Sequence, residues 1–298
     1  MTFRVGKLFH LAHLVDDLDV VDRWYDEVFA CERFYRGYEK PARRTASLLV
    51  ISDLVMEPIM PSTAPEDAAW PLQKFRARFG NRLHSIAWYV DDIVACSAHL
   101  GDRGIRQVGL TGKPVLDPRD AVAVWTHPKD SGALWEFCEP GFAADPRLAA
   151  GWTAQRWRDH PLQIERTAHI TVLLEDVERA AALYGEALLG RLLHREEVPG
   201  SHIAAYWAVG EETVIEAYQP LDADSAAGRD LAANGEGVHA LTFATADLDA
   251  AATFLRGKGH RLDPVASPDG GGTFAVHLDP SFGLNLAFTS RRVPGDTR

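Results

Sequence analysis

Along the chain, apolar and polar positions repeat the same two rhythms four times. A short strand-like run is broken by an Asp followed by an apolar residue. Apolar positions then recur at spacings of three and four, the period of one helix face. The runs read LFHLAHLVDDLD from Leu8, LHSIAWYVDDIV from Leu83, AHITVLLEDVER from Ala168 and HALTFATADLDA from His239. Their hinge pairs are Asp17-Leu18, Asp92-Ile93, Asp176-Val177 and Asp247-Leu248. Each Asp is placed to cap a helix by accepting a hydrogen bond from a free first-turn N–H. Leu18, Val21, Trp24, Tyr25 and Val28 mark the buried face of the first helix. Val177, Ala180, Ala181, Leu183, Tyr184 and Leu188 mark that of the third.

Three more strand-like stretches follow each helix, and the last carries a recurring polar residue: Glu57, Glu136, Glu216 and Asn285. These stand 40, 44, 40 and 38 residues after their hinge Asp. The unit is therefore βαβββ. One unit alone exposes an apolar sheet face, so units must pair. The predicted fold is α+β: four βαβββ modules paired into two cup-shaped domains, 1–140 and 166–290. A linker at 141–165 joins them and a tail at 291–298 follows. The pattern predicts a short helix at Trp70–Phe79, and Trp152 and Trp157 point to a linker that packs on the surface.

Composition narrows the partners. Forty-two acidic against 31 basic residues give a formal charge of −11, which disfavours nucleic acid and anionic lipid. The first ten residues lack the apolar core of a signal peptide, and no apolar run approaches the ~18 residues of a membrane span. Cys31, Cys96 and Cys138 form no CxxC and read as buried reduced thiols. A cytoplasmic monomer or homodimer acting on a small molecule is expected.

The βαβββ unit, the V-x-D-L hinge and the terminal E-x-x-x-P strand resemble the vicinal oxygen chelate superfamily. That group includes glyoxalase I, methylmalonyl-CoA epimerase, type I extradiol dioxygenases, and the bleomycin and fosfomycin resistance proteins. The resemblance covers nearly the whole chain. Locally, the N-terminal half is similar to methylmalonyl-CoA epimerase: FRARFG from Phe75 runs into LHSIAW from Leu83, and HPKDSG from His127 precedes the strand bearing Glu136. The resemblance implies metal ligands seven residues before each hinge Asp and on the last strand of each module. Those positions are His10, Glu57, Ser85 and Glu136 in the first domain, and His169, Glu216, Ala240 and Asn285 in the second. Ser85 and Ala240 stand where His is usual, with His84 and His239 beside them. Glu39 falls where such epimerases hold a general base.

A mixed His/carboxylate set suits divalent Fe, Mn, Co, Ni or Zn, acting as a Lewis acid toward adjacent substrate oxygens. The candidate ligands are His10, Glu57, His84 and Glu136, with Glu136 and Glu39 as candidate catalytic groups. His169, Glu216 and His239 form a second candidate site. Side chains alternate along a strand, so His84 and His239 are expected to face away from the cavities unless a β-bulge re-aims them. His10 also reads as a hydrogen-bonded core histidine, and the carboxylates as salt-bridge partners; His13 reads as structural. Three functions follow: a metal-dependent epimerase- or glyoxalase-like isomerase or lyase, an extradiol ring-cleaving dioxygenase, and a metal-free small-molecule binder.

Overall fold

The computed structural model describes residues 3–141, 144–265 and 272–298. Their strands form two eight-stranded mixed sheets of identical topology. The first contains β1 (Val5–Leu14), β2 (Glu32–Glu39), β3 (Arg44–Ile51), β4 (Leu54–Pro61), β5 (Arg82–Val90), β6 (Gln107–Val108), β7 (Val124–Thr126) and β8 (Leu134–Cys138), ordered β2-β3-β4-β1-β5-β8-β7-β6. The second contains β9 (Ile164–Leu173), β10 (Arg191–Val198), β11 (His202–Val209), β12 (Thr213–Pro220), β13 (Gly237–Thr245), β14 (Arg261–Pro264), β15 (Thr273–His277) and β16 (Asn285–Thr289), ordered β10-β11-β12-β9-β13-β16-β15-β14. In each sheet the first strands of two modules pair antiparallel at the centre, β1 with β5 and β9 with β13. Each of these strands also takes the last strand of its own module in parallel. This is the predicted α+β pairing of modules, and it places the four signature residues on strands next to the central joints.

All four hinge aspartates cap as expected. Asp17 accepts from Val20 N at 3.0 Å, Asp92 from Ala95 N at 2.8 Å, Asp176 from Glu178 N at 2.9 Å, and Asp247 from Ala250 N at 2.9 Å. Helices Leu18–Phe29, Ile93–Gly101 and Leu248–Gly257 follow three of them. After Asp176, the regular helix expected over Val177–Leu188 is replaced by a 3₁₀ turn (Val177–Arg179) and a π-helix (Ala181–Ala187). Leu188 N reaches back five residues to Leu183 O at 3.2 Å. A Cβ at Gly185 would lie 2.9 Å from the Trp207 ring, so the wider turn passes the indole at a position without a side chain. The short helix between modules one and two spans Pro71–Phe79.

The segment between the sheets is pinned rather than loose. Arg147 and Asp145 form a buried ion pair at 2.7 Å; Arg147 also donates to the carbonyls of Phe9 and Asp53, and Tyr89 OH donates to Asp145. Trp157 is buried. Further bonds tie the sheets together: Trp88 Nε1 to Thr213, Lys7 to Glu212, and neutral His13, which accepts from Tyr25 OH at 3.0 Å and donates to Phe282 O at 2.7 Å. Gly210 (φ 64°) meets Gly6 so closely that a Cβ would lie 2.2 Å from its carbonyl oxygen. The three cysteines are free and buried. Among the described residues no helix is long and apolar enough to cross a membrane.

Candidate functional site

One cavity, of about 330 Å³, is lined mainly by the first domain together with Asn234, Glu236, Gly237 and Val238 of the second; another, of about 510 Å³, lies within the second. Both fall in the range of small-molecule sites. The parallel pairs set the signature residues beside the first strands: Glu57 opposite Ala12, Glu136 opposite Ala87, Glu216 opposite Thr171, and Asn285 opposite Ala240.

In the first domain, three predicted residues meet. His10 Nε2 lies 3.2 Å from Glu57 Oε2 and 3.2 Å from Glu136 Oε2, and all three side chains are buried. A residue not singled out from the sequence completes the group. Arg44 donates through Nη2 to Glu57 Oε1 at 2.7 Å and through Nε to Glu39 Oε2 at 2.7 Å. Arg44 opens β3 directly opposite Glu39 on β2, so cross-strand register was the available signal. Trp125 Nε1 donates to Glu136 Oε2 at 2.9 Å.

Three carboxylates and an imidazole share one guanidinium here, an excess of acidic groups to which the titrations respond. Burial pushes the His10 imidazole down, but Glu57 and Glu136 more than offset this and hold it above its usual value. Burial raises Glu57 despite Arg44 and His10. Burial also acts to raise Glu136, yet His10, Arg44 and the Trp125 bond bring it below the usual carboxylate range. Glu57 Oε2 and His10 Nδ1 are buried without a hydrogen-bond partner.

The expected alternation is broken where it matters. Leu11 faces Ile86 and His13 faces Leu83, so His84 and Ser85 together oppose Ala12. Val172 faces Val238 and Thr171 faces Ala240, which leaves His239 as an extra residue. Both are β-bulges, and they correct the expectation that these histidines turn away. His84 lines the first cavity and His239 the second, beside Ala240. Burial, then Arg44, lower the His84 pKa to about 3, so it stays neutral.

The second domain does not assemble the corresponding set. Glu216 accepts from Tyr206 OH at 2.7 Å and from Thr171 Oγ1 at 2.5 Å, which engages both oxygens. His169 Nε2 is 3.6 Å from Glu216, and burial holds its ring neutral. Asn285 is exposed and donates to the His239 carbonyl at 2.9 Å, while His239 Nδ1 is taken by Asp230 at 2.6 Å. Among the described residues, no group of three or more His, Cys, Asp or Glu side chains is arranged so that it could hold a metal ion as it stands. In the first domain the donors are closed on one another and on Arg44.

Residues 168–276 match the profile of the Glyoxalase/Bleomycin resistance protein/Dioxygenase superfamily. A solved variant of 4-hydroxymandelate synthase from Streptomyces coelicolor is 13% identical, with a TM-score of 0.71 over 98% of this chain and 95% of its own. Methylmalonyl-CoA epimerase from the same organism, in complex with 2-nitronate-propionyl-CoA, is 28% identical over 42% of this chain and 96% of its own, with a TM-score of 0.38. No curated protein sequence matches the chain.

Proposed function

From the profile match over residues 168–276 and the likeness of fold over the whole chain, we propose that the chain is a member of the glyoxalase/bleomycin resistance protein/dioxygenase superfamily and that its first domain is the catalytic one. It is an isomerase or lyase acting on a small, oxygen-rich, enolisable substrate. The observation that carries this is the meeting of His10, from β1, with Glu57 of β4 and Glu136 of β8, each 3.2 Å from its Nε2 and bonded in turn to Arg44 and Trp125, which line the cavity.

The donor types, one imidazole and two carboxylates, suit a divalent cation once they part from one another. Donor atoms about 3 Å apart are the spacing of neighbouring ligands around an ion bound at 2.0–2.2 Å. One carboxylate oxygen of Glu57 is buried with no hydrogen bond, its nearest polar neighbour being His10 Nε2 at 3.2 Å, and a cation offsets the excess of carboxylates over Arg44. His10, Glu57 and Glu136 would hold it, with His84 on the cavity wall. When bound, it supplies Lewis-acid stabilisation of a substrate oxyanion.

The chain's own groups divide the remaining work. Trp125 orients Glu136. Arg44 fixes Glu57 and Glu39 relative to each other and keeps its charge, because the neighbouring carboxylates outweigh its burial. Glu39 sits at the less enclosed end of this chain, with 22% of its side chain exposed. There it accepts the proton α to a carbonyl and returns it.

The test is metal content per chain by elemental mass spectrometry after purification without chelator, for wild type and Glu136→Ala. Near-stoichiometric metal, lost in the variant, supports the reading. Iron would favour ring cleavage, and manganese, cobalt, nickel or zinc the isomerase or lyase. Wild-type protein that stays metal-free after reconstitution overturns it.

A further inference from the structure

The first cavity is walled by both domains, and the second supplies more than shape. Arg82, which opens β5, lines it beside residues from the end of helix Ala226–Asn234 and the start of β13. Arg82 stands opposite Leu14, two residues beyond Ala12 and four beyond His10 on one face of β1. Ala12 is the partner of Glu57. At about 3.3 Å per residue, Arg82 therefore lies roughly 7–13 Å along the sheet from the rows that carry Glu57 and His10.

The two guanidiniums that line this cavity are engaged differently. Arg44 gives its donors to Glu57 and Glu39. Arg82 faces one carboxylate, Asp230, at 3.5 Å, and none of its side-chain N–H groups hydrogen-bonds a described residue. Its guanidinium carbon lies 5.7 Å from the centre of the Phe79 ring. Asp230 belongs to the second domain and is held there: Asn234 Nδ2 donates to it at 2.7 Å, and His239 Nδ1 meets it at 2.6 Å. Gly237 leaves room in front of Arg82, since a Cβ there would lie 4.0 Å from Nη2. Glu236, the acidic residue that the second domain adds to the wall, is bound through both oxygens by Arg179. Phe75, Phe79, Trp125 and Leu134 make much of the remaining wall apolar.

We infer that Arg82 is a specificity-determining residue of the first cavity, and that the substrate carries a second carboxylate, distal to its enolisable carbonyl, which Arg82 receives. A guanidinium binds a carboxylate through paired N–H donors. This one already faces an acidic partner, so it suits a singly charged carboxylate better than a doubly charged phosphate. Asp230 is a positioning residue: it holds the guanidinium from the second domain, which makes that domain part of the first domain's site. The inference rests on the first cavity being the reacting one.

The probes are 2-oxoglutarate and 2-oxopentanoate, oxo acids of equal chain length that differ in the distal carboxylate alone. They are titrated by calorimetry against full-length protein supplied with manganese. Wild type should bind the dicarboxylate about 10–100-fold more tightly, the worth of a charge-assisted hydrogen-bonded pair. Arg82→Gln should remove that preference and leave the affinity for 2-oxopentanoate in place, which also reports a folded protein. Arg82→Lys should keep part of the preference, and Asp230→Asn should narrow it less than Arg82→Gln does. Equal affinity of the wild type for the two acids, failure of both to bind, or a preference that survives Arg82→Gln overturns the inference. The metal reading fails separately. A preference through Arg82 in protein that takes up no metal sinks that reading and keeps this one; metal-loaded protein with no preference does the reverse.

Discussion

Two cups with one topology hold opposite electrostatics. In the first, Glu39, Glu57 and Glu136 surround a single Arg44, and His10 sits between two of the carboxylates. In the second, the carboxylate equivalent to Glu57 is Glu216, and two hydroxyl groups satisfy it. A hydroxyl donor neutralises nothing and asks for nothing, whereas a guanidinium shared between two carboxylates leaves a third demanding a cation. The same strand position therefore serves a charged centre in one domain and a polar wall in the other. The difference lies in what reaches the carboxylate: Arg44, paired with Pro61 in the sheet, donates to Glu57, whereas Tyr206, directly opposite in the register, donates to Glu216.

The largest expected break of this contrast is catalytic. Glu39→Gln should slow deuterium exchange at the α-carbon of any substrate turned over in the first cup by about 10²–10⁴-fold, the usual worth of a general base. It should leave metal content unchanged, and a loss of metal in this variant would place Glu39 among the ligands instead.

Next is stability. Arg44→Met removes one partner from a buried charge cluster and should cost about 3–5 kcal/mol in urea unfolding of metal-free protein. Added divalent metal should recover part of it, since binding to the folded state alone stabilises.

Between the cups lies His13, whose burial depresses its pKa to about 4 against an ordinary value of 6.5. The neutral ring makes both of its hydrogen bonds, so the folded state resists protonation more than the unfolded chain does. Stability is full above about pH 6.5 and falls as pH drops toward 4, by about 3 kcal/mol at the bottom of the window. His13→Gln should flatten that acid limb in a pH series of denaturation curves. The smallest effect is Tyr206→Phe, which leaves Glu216 its Thr171 bond and removes one hydroxyl donor from a buried carboxylate, and should cost about 1.5–3 kcal/mol; a loss larger than that of Arg44→Met would reverse the contrast between the two cups.

The fold was legible because the hinge and signature residues recur four times, and each recurrence constrains the others. His10, Glu57 and Glu136 were legible for the same reason: spacing from the hinge Asp places them beside the central joints of the sheet. Arg44 was not, because it matters through its register with Glu39 rather than through the repeat. Nor were the bulges, since His84-Ser85 and His239-Ala240 read as ordinary alternation until the opposing strand shows which residue is extra. The π-helix escaped likewise: Gly185 signals little until Trp207 lies against it.

The bulge at His239 bears on how such a chain tolerates insertions and deletions. Within a regular strand, losing one residue swaps the faces of everything beyond it. A bulged residue is exempt: with position 239 deleted, Val238 and Ala240 would keep Val172 and Thr171 as partners, and the core beyond would keep its phase. A one-codon change at that position would thus erase or restore a cavity-lining histidine while keeping the pairing register of the strand beyond it. For this architecture, a cup's chemistry and its sheet are separable by the length of the strand as well as by the identity of its residues.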